Sequence, residues 1–156
     1  MDEKTNVMRL LEQKNIPYTA HYYGTGEAMS GVEVAKLLNR DVDQVYKTLV
    51  TTAGPRKFYV FMIPAAEELD LKKAARAVGE KSLEMLKQKD LLPNTGYIHG
   101  GCSPIGMKKL YPTTIHEDAI LYDTILFSAG KIGCQVELNI EQILPLVPYT
   151  MADLIK

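Results

Sequence analysis

The chain has 156 residues, 46% hydrophobic and 24% charged, which is enough apolar material for one domain with a buried core. Eighteen Lys and Arg against nineteen Asp and Glu leave a net charge of -1, so no bulk positive field announces a nucleic-acid partner. No apolar run is long enough to span a bilayer, and no repeat, linker or low-complexity tract divides the chain.

Charge is unevenly placed. Between Tyr46 and Leu110 there are eleven basic and six acidic residues, and the two flanks together hold seven and thirteen. The mildly basic middle reads either as a solvated helix surface or as a face for an anionic partner. Two distant cysteines, Cys102 and Cys134, with no N-terminal apolar segment of secretory type, predict a cytoplasmic protein with reduced thiols.

Val7, Leu10 and Leu11 predict a first helix that fades near Asn15, and Tyr18 to Tyr23 alternates as a strand. Ser30 and Glu33 make an S-x-x-E capping box for a second helix with Val34, Leu37 and Leu38 on its buried face. "YKTLVTTAGPRKFYVFMIP" then predicts a hairpin from Tyr46 to Ile63 around Gly54-Pro55. Asp70 caps a helix that Gly79 ends, and Ser82 with Glu84 and Met85 is expected to open another short one. A second strand pair, Thr124 to Ser128 and Cys134 to Leu138, is joined by "AGKIG" and followed by short helices near Glu141 and Met151. Strands and helices mix without a strict βαβ rhythm, which predicts an α+β domain on a mixed, curled sheet.

Residues 96 to 106, "GYIHGGCSPIG", expose an unusual length of bare backbone. Such a loop is either a tight turn or a place where a ligand approaches the main chain. Most standard motifs fail on it. G-x-G-x-x-G is absent, and Gly130-Lys131 lacks the spacing and the Ser or Thr of a P-loop. Gly101-Cys102-Ser103-Pro104-Ile105 misses the second glycine of a G-x-S-x-G elbow, and Pro104 removes an oxyanion-hole N–H. His99 and Cys102 have zinc-like spacing but no second close pair, so His99 reads as a solvent-facing residue and neither a metal nor another cofactor is expected. Cys102 has no local base to activate it. Lys47 is the odd residue in "VYKTLV". If it shares the core side with Leu49 it must meet an anion or line a wet cleft; if Leu49 faces outward, Lys47 is simply exposed.

"DQVYKTLV", "LDLKKAARAVG", "TGYIHGGCSPIGMKK" and "SAGKIGCQVEL" occur in one order and spacing. Together they resemble the YbaK/EbsC family of aminoacyl-tRNA deacylases, which is similar to the editing domain of prolyl-tRNA synthetases. The helix and "H-x-Y" strand at His21-Tyr22-Tyr23 resemble the freestanding Cys-tRNA(Pro) deacylases most closely. The resemblance implies a mixed sheet curled into a partial barrel with surrounding helices. It implies that Gly100 and Gly101 surround the aminoacyl end and that Lys47 contacts the sugar-phosphate or the ester. Tyr23, Cys102, Ser103, Pro104, Gly130 and Gln135 are expected around the substrate. Lys72, Lys73 and Arg76 on a helix, with Lys108 and Lys109 after the loop, are expected on tRNA phosphates.

An aminoacyl ester is already activated, so such a site must position it and stabilise charge on its carbonyl oxygen. In the cysteine-specific branch the substrate's own thiol is thought to attack, leaving as a thiolactone. Relatives often carry an aliphatic residue at Cys102, Gly-Gly after Ser128, and an acid at Gln135. The implied function is removal of mischarged amino acids in trans, from Cys-tRNA(Pro) first and Ala-tRNA(Pro) next, with prolyl-tRNA synthetase as an associated partner. The competing class is a noncatalytic module of the same fold that binds a nucleotide or a synthetase.

Overall fold

In the computed structural model, which describes residues 3–24, 27 and 29–156, Thr5 accepts a hydrogen bond from Met8 N and opens helix α1 (Asn6–Gln13). Its buried stripe is Val7, Met8 and Leu11, while Leu10 is half-buried. Strand β1 (Thr19–Tyr22) follows, then α2 (Gly31–Leu38), whose Ser30–Glu33 capping box is formed in both directions. Strands β2 (Tyr46–Gly54) and β3 (Lys57–Pro64) make the expected hairpin, with a bulge between Thr52 and Gly54. Asp70 accepts from Lys72 N and Lys73 N at the start of α3 (Leu71–Val78), and Gly79 ends it in the left-handed conformation.

The remainder is β4 (Glu84–Met85), α4 (Gln88–Thr95), β5 (Thr113–His116), β6 (Ile125–Lys131), β7 (Cys134–Leu138) and β8 (Tyr149–Ala152). Three expectations need correction. Ser82 opens no helix, because Glu84 and Met85 pair with Thr52 and Thr51 at the sheet edge. Met151 lies in β8, where parallel pairing with Ile115 of β5 overrides local helix preference. Leu37 is 56% exposed, because α2 turns Ala35 and Leu38 toward Leu126 and Val45 instead.

The strands form two sheets, ordered β1-β7-β6 and β4-β2-β3-β5-β8. The first is antiparallel throughout, and the second becomes parallel from β3 to β5 to β8. The architecture is therefore α+β on mixed sheets. Among the described residues a single parallel bridge, Val45 to Leu126, joins the sheets, so they form an open, curled wall and do not close into a barrel. Between them Ile125, Phe127, Cys134, Val136 and Leu138 meet Tyr46, Met62, Ile115 and α1 in the main core. Helix α3 covers the far side of the second sheet through Ala74 and Ala75 on Phe61 and Ile63. Burying large apolar side chains at about 1.5–3 kcal/mol each makes these two layers the main source of stability. Among the described residues no helix is long and apolar enough to cross a membrane.

Candidate functional site

Beyond the Val45–Leu126 bridge, β2 and β6 are unpaired, and a cleft of about 370 Å³ opens between them. Strand β4 covers β2 only at Thr51 and Thr52, which leaves the edge before them facing the cleft. Val50 accepts from Leu86 N at 3.0 Å, so its polar backbone points away from β3. By alternation along an antiparallel ladder, Thr48 presents its N–H and C=O in the same direction. Its Oγ1 is also buried with no partner among the described residues.

The glycine loop forms the opposite wall. Its base is closed where Lys108 N donates to Thr95 O at 3.0 Å and Tyr97 N donates to Thr95 Oγ1 at 3.1 Å. Tyr97 then ties the loop's start to its end by donating its hydroxyl to the Ile105 carbonyl. Fully buried Ser103 and Ile105 anchor the middle. The stretch is a compact Ω-loop whose crest, Ile98 to Gly100, stays exposed. His99, Gly100 (φ 88°) and Cys102 line the cleft. Gly101 does not; it packs against the β6–β7 turn, where a Cβ would sit 3.2 Å from Lys131 Cα.

Lys47 also lines the cleft. It is half-buried and makes no hydrogen bond or ion pair among the described residues. Desolvation lowers its pKa, against the opposing pull of Glu68 and Glu67. Of the two readings of "VYKTLV", the structure has Leu49 packed on the α3 side and Lys47 at the wet edge. Tyr23 and Gln135 lie on another wall. Burial raises the Tyr23 pKa, and a hydrogen bond from Gln135 works against that rise. Gln135 is 8% exposed, and its Oε1 has no partner among the described residues.

Tyr23, Lys47, Gly100, Cys102 and Gln135 thus converge on one cleft. Ser103 and Pro104 are buried loop anchors outside it, and Gly130 packs under Tyr97 and Val7. The expected phosphate contacts are scattered. Lys73 donates to Asp153 at 2.8 Å and to Ile155 O at 2.7 Å, and with Arg76 it borders a separate shallow hollow. Lys72 is on that same helix, away from the cleft lining. Lys108 donates to Pro93 O at 3.2 Å near the C-terminal end of α4, and Lys109 is exposed.

Thr48, Ser128 and the α2 start at Ser30 and Gly31 also line the cleft, and none of them stood out as a site residue in the sequence. His99, read as solvent-facing, is exposed and at the cleft as well. Gly24 and Gly133 meet backbone to backbone beside it: a Cβ on Gly24 would lie 2.3 Å from Gly133 Cα, a distance only glycine permits. Burial pushes the Cys102 thiol up to about 12, which leaves it an inert lining group. No group of three His, Cys, Asp or Glu is placed to hold a metal among the described residues. A shallower hollow of about 570 Å³ at the hairpin tip carries Glu84 and Asp90 and none of these residues. The expected site residues that gather in one place therefore do so at the smaller cleft.

A model of the aminoacyl-tRNA editing domain matches residues 25–146. A protein of Enterococcus faecalis provisionally named Cys-tRNA(Pro)/Cys-tRNA(Cys) deacylase EbsC is 46% identical over 153 residues, 97% of this chain and 93% of its own. A proline–tRNA ligase of Thermosipho africanus is 27% identical over 62% of this chain, a stretch that makes up 19% of the ligase. The crystal structure of a provisional trans-editing enzyme for prolyl tRNA synthetase superposes with a TM-score of 0.84 at 24% identity over 99% of each chain, which is a likeness of fold.

Proposed function

The chain belongs to the aminoacyl-tRNA editing domain family, and from that premise we propose that it is a deacylase acting in trans on mischarged tRNA, with Cys-tRNA(Pro) first and Ala-tRNA(Pro) second. The observation that carries this reading is Lys47: a half-buried cation that makes no ion pair among the described residues, set on a cleft wall where the one cysteine is held protonated by burial. Such a cation suits charge that develops on an ester oxygen.

The cysteine substrate supplies what the wall lacks. Its sulfur attacks its own carbonyl carbon, the C–O bond to the ribose breaks, and the thiol proton ends on the ribose oxygen. A thiolactone leaves, and water opens it later. The cleft contributes position: Gly100 and the Thr48 edge offer backbone, and Lys47 steadies the oxyanion. The 46% identity to the EbsC protein supports the cysteine assignment. The partial match to a proline–tRNA ligase supports prolyl-tRNA synthetase as the enzyme whose errors are corrected.

The test is a panel of purified tRNAs charged with Cys, Ala, Ser and Pro. Rapid loss of Cys from tRNA(Pro), slower loss of Ala, and protection of Pro are expected. Equal rates on all four would remove the specificity, and no loss above the uncatalysed rate would remove the activity.

A further inference from the structure

Two exposed apolar patches lie outside the cleft, and the charges around them have opposite sign. The first is the short 3₁₀ helix after β5, Glu117–Leu121, which buried Ala119 anchors and on which Leu121 is 74% exposed beside exposed Ile120. Five exposed carboxylates flank it. Glu117, Asp118 and Asp123 belong to this turn and its exit, and Asp41 and Asp43 are brought in by Gln44, whose Nε2 donates to Thr124 O at 2.9 Å. Burial raises the pKa of Tyr122, next to Leu121, and Asp41, Asp43 and Asp118 add to that rise, which places three of the charges around one ring. No Lys or Arg pairs with any of the five among the described residues, and Asp118 meets only His116 Nε2 at 3.2 Å.

The second patch is basic. Lys108 N donates to Thr95 O at 3.0 Å, Lys108 Nζ to Pro93 O at 3.2 Å and Tyr111 Oη to Asn94 O at 2.6 Å, so the chain from Lys108 to Tyr111 lies along the C-terminal half of α4. Leu110, 63% exposed, is thereby carried to the side of α4 together with exposed Leu92. Lys108, Lys109 and, one turn back on α4, Lys89 are exposed around them. None of these lysines forms an ion pair among the described residues, and the acid of the same helix, Asp90, lines the hairpin-tip hollow. The patch adjoins the cleft, because Leu91 of α4 is one of the cleft's lining residues.

We propose that the acidic patch of one copy of this chain seats on the basic patch of another, Leu121 against Leu92 and Leu110, in a head-to-tail contact. Single exposed leucines need no partner, but here each apolar patch carries a charged rim that complements the other, and complementary rims steer encounter and fix register. The net charge of -1 sets almost no overall repulsion against the pairing. Like patches repel, since both rims would then have one sign, so the contact is heterologous and copies can add to it in series. Its few side chains put it among small interfaces, which makes the association weak and reversible. The contact uses no part of the deacylation step.

Sedimentation velocity on the whole chain from about 10 μM to about 1 mM spans the affinity that so small a contact should have. The weight-average mass should climb with concentration at low salt and fall back toward the monomer as salt rises. Leu121→Ser and Leu110→Ser should each weaken association about tenfold or more, and thermal melting checks that these variants of exposed residues fold. Mixed one to one, the two variants should form a dimer that grows no further, because Leu110→Ser keeps the acidic patch and Leu121→Ser keeps the basic one. A wild-type chain that stays monomeric throughout, a Leu110→Ser variant that associates normally, or a mixture no more associated than its parts overturns the contact. Association that strengthens with salt overturns it too, since the charged rims would then play no part.

Discussion

Gly101 and Lys131 stand backbone against backbone, and a methyl group on Gly101 would come within 3.2 Å of Lys131 Cα and 3.4 Å of its carbonyl carbon. The glycine is there to let two loops touch. A side chain must push the β6–β7 turn away, and that turn carries Ile132 and Gly133 into the cleft wall. Gly101→Ala should cost about 1 to 3 kcal/mol as an overpacking change, and Gly101→Val more, with deacylation falling in the same order. Urea unfolding and deacylation rates check this. A Val variant equal to wild type in both would mean that the contact relaxes freely.

Lys47 separates stability from activity. Burial lowers its pKa in the folded chain, while an unfolded lysine titrates near about 10.4. The native state therefore binds that proton less tightly than the unfolded state. Its charge costs stability at neutral pH, and the cost fades as pH rises from the folded pKa through the unfolded one. Lys47→Met should melt no lower than wild type at pH 7, with any advantage vanishing above pH ~10.4. Deacylation should fall on the order of a hundredfold, the loss typical of one electrostatic donor. A fully active variant would take Lys47 out of the chemistry.

Cys102 provides the contrast. A thiol pushed up to about 12 by burial is almost wholly protonated at pH 7. Cys102→Ala should keep most of its deacylation of Cys-tRNA(Pro). Ser-tRNA(Pro), whose hydroxyl ionises far less readily than a thiol, should react slowly. Loss of activity in Cys102→Ala with an unchanged melting temperature would point to a covalent enzyme intermediate instead.

Local signals carried much of the fold. Ser30 and Glu33 form the capping box that their spacing implies, and Asp70 and Gly79 bound α3. Strand β5 escaped because all four of its residues are buried, and a strand covered on both faces shows no alternation. Helix α4 escaped because Pro93 sits inside it, where proline ordinarily argues against a helix. The cleft was half legible. Lys47 stood out as a charge in an apolar strand, whereas Thr48 and Ser30 became lining residues only through the divergence of β2 from β6 and the docking of α2, which are long-range facts.

Glu137 governs how α2 sits. Its carboxylate accepts from His21 Nε2 at 2.8 Å, from the Arg40 guanidinium at 3.0 Å and from Thr124 Oγ1 at 2.6 Å. It thereby ties β1, the chain leaving α2 and the start of β6 to one point on β7. Burial works to raise its pKa, but the bonds from Thr124, Arg40 and His21 outweigh that and hold it below the ordinary carboxylate value. A lowered folded pKa stabilises the native state above the unfolded value, and that contribution is lost as pH falls through the folded one. Glu137→Gln keeps the shape and removes the charge, so it should cost about 2 kcal/mol at pH 7. The gap from wild type should close as pH drops below ~4.3, where an unfolded glutamate is itself protonated. Because the other end of α2 places Ser30 and Gly31 in the cleft, the variant should also raise the Michaelis constant for aminoacyl-tRNA. Chemical denaturation at stepped pH measures the first effect and steady-state deacylation the second. A stability gap that stays constant from pH 7 to pH 3 would show that Glu137 acts by packing and not by charge.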